Sequence, residues 1–207
     1  MLEGHVKAAA LMAVRDGYAR CRKPIVTAEF SLGSSGVRAD LAVFAETSMG
    51  FEIKTAQDTL RRLPSQMKAY TQYFDHAVAI VAPCHVRNVT ADHLNGASLW
   101  TYDEKGVFQV LEENGNANPV SDAALMDVLT QAERRTGDFH AAMQARYGGT
   151  SQRFWSAVAR RLIRPDDLPL LSRFSDDRAQ ARQLAGEREA WWSAWLAAQG
   201  GLAAAST

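Results

Sequence analysis

The chain has only two cysteines, Cys21 and Cys84, so neither a disulfide framework nor a cysteine-rich zinc site is implied. No apolar run approaches the roughly 20 residues that cross a bilayer. The opening Met1-Leu2-Glu3-Gly4-His5 lacks the basic and apolar regions of a signal peptide. The cytoplasm is therefore the expected compartment, and a membrane is not an expected partner. Excess charge is missing too: 23 basic residues balance 23 acidic ones over 207 positions. That balance counts against a protein that coats nucleic acid by bulk electrostatics. It leaves room for an enzyme whose metal-binding acids enter the tally as negative. Divided after Asn118, the chain has 12 basic against 13 acidic residues, then 11 against 10, so neither half is a charged tail. The five histidines, His5, His76, His85, His93 and His140, show no metal-ligand spacing.

What is present reads as an α/β protein. Val6, Ala9, Ala10, Ala13 and Val14 recur with helical spacing between Leu2 and Tyr18. Residues 25–31 and 37–44 alternate as strands around the turn Gly33-Ser34-Ser35-Gly36, and a third strand spans 50–54. Residues 58–74 carry Leu60, Leu63, Met67, Tyr70 and Phe74 along one helical face, with a break or kink expected at Pro64. The apolar run 77–82 reads as a buried strand, and strands near 98–102 and 107–111 complete a mixed sheet. After the loop 113–120 the character turns helical, with candidates at 121–135, 138–147, 151–163, 166–173 and 177–198. The expected organisation is a core over 1–112, a linker over 113–120, a helical C-terminal subdomain over 121–199 and a flexible tail over 200–207.

Strand alternation separates chemistry from core. Asp40 and Arg38 point opposite to Ala39, Leu41 and Val43, and Glu52 and Lys54 oppose Phe51 and Ile53. In the first strand, Thr27, Glu29 and Ser31 face away from Val26, Ala28 and Phe30. With hairpins centred on Ser34-Ser35 and near Glu46, Glu29 lies opposite Asp40 and Asp40 opposite Glu52. Opposed residues have Cβ atoms about 4.5–5.5 Å apart, so the three carboxylates form one row that a cation would stabilise. Oxygen ligands of this kind suit magnesium.

Asp40, then eleven residues, then Glu52-Ile53-Lys54 resembles the D…ExK signature of the PD-(D/E)XK nuclease superfamily, with Ala39 where the nominal proline would stand. Gln66-Met67-Lys68-Ala69-Tyr70 resembles the Q-x-x-x-Y element of RecB-like members. The stretch from Gly50 through Gln66, with Tyr70 and Phe74-Asp75, is similar to an uncharacterised bacterial and phage branch of that superfamily. The resemblance covers residues 1–111 and is specific around 38–75. It implies a restriction-endonuclease-like αβββαβ core with a mixed sheet, followed by an all-helical C-terminal subdomain. It also implies Mg²⁺-dependent hydrolysis of DNA, with Mn²⁺ substituting and RNA left open. Asp40, Glu52 and the Ile53 carbonyl would hold one or two ions. Glu29 is the first choice for a further acid, with Glu3 on the first helix as its competitor. Lys54 would position or deprotonate the attacking water, and Gln66 and Tyr70 would orient the strand or the lysine. Arg38, Arg61 and Arg62 are candidates for phosphate contacts.

Blander readings stand beside these. Glu29 can simply pair with Arg38, Glu3 suits the first turn of any helix, and Arg61-Arg62 suits a solvated face. Arg160, Arg161 and Arg164 read as the wet side of an amphipathic helix. Trp191, Trp192 and Trp195 read as a packing stripe that docks their helix on the domain or on a second copy. The alternative function is a catalytically silent nuclease-fold factor, phage or defence related, that binds DNA or a protein. A homodimer or a recruiting protein partner is compatible with either function.

Overall fold

The computed structural model describes residues 1–18, 22–172, 188 and 191. The chain divides into two units, Met1–Ser172 and Arg173–Thr207. Apart from residues 188 and 191, the expected helix 177–198 and tail 200–207, and with them Trp192 and Trp195, lie outside the described residues. Among the described residues, no helix is long and apolar enough to cross a membrane.

The first unit is α/β, with one mixed six-stranded sheet. Helix α1 (Glu3–Gly17) precedes an antiparallel meander of β1 (Ile25–Ser31), β2 (Arg38–Phe44) and β3 (Ser48–Lys54). Helix α2 (Leu63–Tyr73) crosses to β4 (His76–Val81), which lies parallel to β3. A 3-10 turn and the short α3 (Ala91–Leu94) cross to β5 (Ser98–Tyr102), parallel to β4, and β6 (Phe108–Glu112) returns antiparallel. Spatial order equals chain order, β1 to β6. Pro64 does not kink α2. It sits in the first turn, where the missing N–H has no intrahelical acceptor to lose.

Each face of the sheet carries its own core. Val6 and Leu11 of α1 pack with Leu41, Val43, Phe51, Ile53 and Ile80 in one layer. Met67, Tyr70 and Phe74 of α2 or its end pack with Phe30, Phe44, Ala42 and Ala79 in the other. Gly50 makes the second layer close: a Cβ there would meet the Phe74 ring at 2.3 Å and the Tyr70 ring at 2.9 Å.

The helices after the 113–120 loop do not build a separate core within Met1–Ser172. Helix α6 (Phe139–Val158) gives Ala142, Met143 and Tyr147 to the α2 layer, and Phe154, Trp155 and Val158 to the α1 layer. It thereby spans the β1 edge. Ser151 Oγ accepts the Val26 N–H at 3.0 Å, and Trp155 Nε1 donates to the Pro24 carbonyl at 2.8 Å, satisfying groups an edge leaves unpaired. The boundary expected at 113–120 is therefore not a packing boundary here, because α6 belongs to both layers. The same packing carries α6 unbroken through Gly148-Gly149, where a break is expected. Glycine costs a helix about 1 kcal/mol per residue, less than burying these aromatic side chains returns. The expected helix 121–135 is instead two short ones, α4 (Asp122–Asp127) and α5 (Gln131–Arg134), the second started by a Thr130/Glu133 capping box. The segment 165–171 is a 3-10 turn in place of a helix.

Strand alternation fails in the middle of β1 and β2. Ala28 and Leu41 lie in the α1 layer, whereas Phe30 and Ala39, two residues further along each strand, lie in the α2 layer. Phe30 does not share a face with Val26 and Ala28, nor Ala39 with Leu41. Both strands exchange faces at Glu29 and Asp40, where Glu29 takes a left-handed backbone with φ 57°. Such a conformation costs a non-glycine residue about 1–2 kcal/mol.

Candidate metal centre

Glu29 and Asp40 stand opposite each other at this exchange, bracketed by the pairs Ala28↔Leu41 and Phe30↔Ala39. The ladder between β2 and β3 ends at Leu41↔Phe51, one position before Asp40 and Glu52. Past that point side chains replace the ladder. Asp40 Oδ2 accepts the Ile53 N–H at 2.7 Å, and the Asp40 N–H donates to Tyr70 Oη at 3.2 Å.

Two groups of charge flank Asp40. On the α1 side, Lys7 Nζ lies 2.6 Å from Glu3 Oε1, 2.7 Å from Glu29 Oε1 and 3.6 Å from Asp40 Oδ1. Glu3, Glu29 and Asp40 each offer an oxygen, all within 4.8 Å of one another. Glu29 also pairs with Arg38 at 3.2 Å. On the α2 side, Glu52 and Lys54 are buried, with Lys54 Nζ 2.5 Å from Glu52 Oε1. Gln66 Nε2 donates to the same oxygen at 2.6 Å, and Tyr70 Oη–H donates to Glu52 Oε2 at 2.6 Å. Tyr70 thus ties Glu52 to the Asp40 backbone. Gln66 Oε1 is buried and has no hydrogen-bond partner among the described residues.

Burial pushes the Asp40 carboxyl up to about 7, and the charge of Glu52 adds to the rise against the pull of Lys7 and the Ile53 N–H. Burial alone would lower the Lys7 ammonium, but the Asp40 charge and hydrogen bonds to Glu29 and Glu3 outweigh it, and its pKa ends above the ordinary value. The pair is therefore unequal: Lys7 gains from Asp40, whereas Asp40 loses more to burial and Glu52 than Lys7 returns. Tyr70 is held well above its ordinary value by burial and then by Glu52, so it remains a neutral donor.

The expected residues converge, but as two adjoining groups in place of one row of three acids. Glu29 and Asp40 gather around Lys7, and Glu52 stands with Lys54, Gln66 and Tyr70. Glu3 and Glu29 are not exclusive choices, since both reach Lys7. Ile53 meets Asp40 through its N–H. Arg38 is at the exposed rim, and Arg61 and Arg62 are exposed on the 3-10 turn before α2. Arg161 is committed to Asp167 at 2.6 Å. Lys7 was not singled out from the sequence. Its signal there is a lone charge in the apolar run Val6–Leu11, four residues after Glu3.

The oxygen-only donor set suits a hard divalent ion. The orphaned Gln66 Oε1 fits the same picture, since water bound to an ion, or a substrate group, would supply the donor it lacks.

Comparison with known proteins gives a family and one distant likeness. A solved protein of unknown function from Silicibacter pomeroyi aligns at 13% identity with a TM-score of 0.45, over 66% of this chain and 90% of that one. No curated protein matches the sequence. The family model described as Bacteriophage P4 protein cII matches residues 1–137 of the 207. The chain belongs to the bacteriophage P4 protein cII family.

Proposed function

We propose that this chain is a metal-dependent nuclease with a restriction-endonuclease-like core of the PD-(D/E)XK type, hydrolysing DNA phosphodiester bonds in the cytoplasm. The observation that carries the reading is the buried Glu52–Lys54 pair at 2.5 Å beside Asp40, whose carboxyl is pushed up to about 7. Burial and the Glu52 charge hold the Asp40 carboxyl against ionisation, a cost to folding that a bound divalent ion would offset.

Magnesium, or manganese in its place, supplies an activated water and stabilises the leaving oxygen when bound. Asp40 and Glu52 would hold it, with Glu29 or Glu3 and the Ile53 carbonyl as further ligands. Lys54, anchored on Glu52, orients the water and offsets charge on the phosphate. Tyr70 holds Glu52 in place, and Gln66 Oε1 accepts from the water or the substrate strand. Arg38, Arg61 and Arg62 at the exposed rim take phosphates. A net charge of zero predicts weak binding to bulk duplex, hence a preference for ends, particular structures or a recruiting partner.

The test is cleavage of labelled single- and double-stranded DNA, and of RNA, with Mg²⁺ or Mn²⁺. Wild type should cut, and Asp40→Ala and Lys54→Ala should each lose about a hundredfold or more. Cutting that survives both substitutions refutes the site. A second reading, a phage-related binding factor without turnover, is favoured by one observation: Lys7 already neutralises part of the acidic group. No metal binding and no cutting on any substrate would establish that reading instead.

A further inference from the structure

We propose that Lys7 occupies the position a second divalent ion would take, which makes the site a one-ion site. The inference rests on the metal-dependent reading above. Glu3, Glu29 and Asp40 bring their oxygens within 4.8 Å of one another, a spacing that a single cation can bridge. The protein fills that position with its own cation, 2.6 and 2.7 Å from two of the acids and 3.6 Å from the third.

Lys7 is poorly placed to yield to an ion. Its side chain is only 8% exposed, and its neighbours Val6 and Ala8 lie in the α1 core layer. An ammonium pushed off these carboxylates would stay buried without a partner, which is strongly unfavourable. Charge balance leads to the same result. Four carboxylates, Glu3, Glu29, Asp40 and Glu52, face Lys7, Lys54 and Arg38, so one divalent ion already exceeds the single negative charge that remains. That ion belongs with Asp40 and Glu52, the two acids that Lys7 does not hold at 2.7 Å or closer. A second would add two further positive charges before any phosphate arrives. Lys7 is thus a positioning residue, holding Asp40 and Glu29 where an ion would otherwise hold them.

The experiment is a Mn²⁺ titration of the full chain, with free Mn²⁺ read by electron paramagnetic resonance, on wild type, Lys7→Met and Lys7→Gln. Lys7→Gln keeps a hydrogen-bond donor without the charge and serves if Lys7→Met does not fold. The expected stoichiometry is one ion per chain for wild type and two for the neutral variants, the added site filling only when the ammonium is gone. Two ions in wild type, or one in every variant, would overturn the inference while leaving the metal reading intact. No Mn²⁺ bound by any of the three would overturn both together.

Discussion

Replacing Asp40 with asparagine should make the metal-free protein more stable. The Asp40 side chain is 19% exposed, and its carboxyl moves from 3.8 to about 7 on folding. Between those values the unfolded chain has released the proton while the native chain keeps it. The native state then binds more protons, and stability falls as pH rises through the window. A displacement of about three units at 1.36 kcal/mol each sets an upper figure of about 4 kcal/mol above pH 7. Asparagine avoids that cost and keeps an oxygen for the Ile53 N–H, but it removes one of three carboxylates that balance Lys7. A net gain of about 2 kcal/mol is expected at pH 8. The assay is urea unfolding in EDTA with linear extrapolation. At pH 5 the native wild type is already protonated at Asp40, so the advantage of the variant should shrink to less than half. A variant no more stable than wild type at pH 8, or a gain that ignores pH, would refute the argument. The same variant should cut nucleic acid poorly, since stability is gained by discarding the ligand.

Gly50→Ala should cost about 1–3 kcal/mol, because its Cβ would strike the buried Phe74 and Tyr70 rings at 2.3 and 2.9 Å. Cleavage should fall as well, since any shift of Tyr70 breaks its 2.6 Å bond to Glu52; unchanged urea midpoint and activity would refute the packing account. Glu133→Ala should destabilise by about 2 kcal/mol, because it strips Arg146 of its carboxylate partner and α5 of its cap. The Arg146 hydrogen bond holds Glu133 down to about 2, so this contribution is complete above pH 4.5 and is lost as pH falls toward 2. Acid unfolding of the variant should be correspondingly flatter over that range.

Much of the sheet was legible in the sequence because its residues obey local rules. Ile25–Ser31, Arg38–Phe44 and His76–Val81 begin and end within a residue of where alternation and apolar runs put them. Helix α6 was not legible. Gly148-Gly149 reads locally as a break between helices over 138–147 and 151–163, and only contact with both faces of the sheet explains the continuous helix. The 113–120 loop marks a change of composition, but composition does not reveal that Tyr147 and Phe154 lie in different core layers.

At the candidate site, register was readable and side-chain direction was not. The pairing sums that place Glu29 opposite Asp40 follow from turn length alone, and the ladder has that register. Alternation then sends Phe30 and Ala39 to the wrong layer, because it assumes an extended backbone throughout. Glu29 departs from that backbone at φ 57°, and both strands rotate where the two acids meet. The rotation turns Glu29 toward Lys7 on α1, while Glu52 stays with Tyr70 on α2. One row of three acids thereby becomes two groups that share Asp40. A lysine 22 residues before Glu29 cannot be assigned to it from strand periodicity. Left-handed strain at Glu29 and a carboxyl at Asp40 held far above its ordinary value are both costs to folding. They fall on two residues that face each other, which is the pattern expected where a fold gives up stability to hold ligands for a cation.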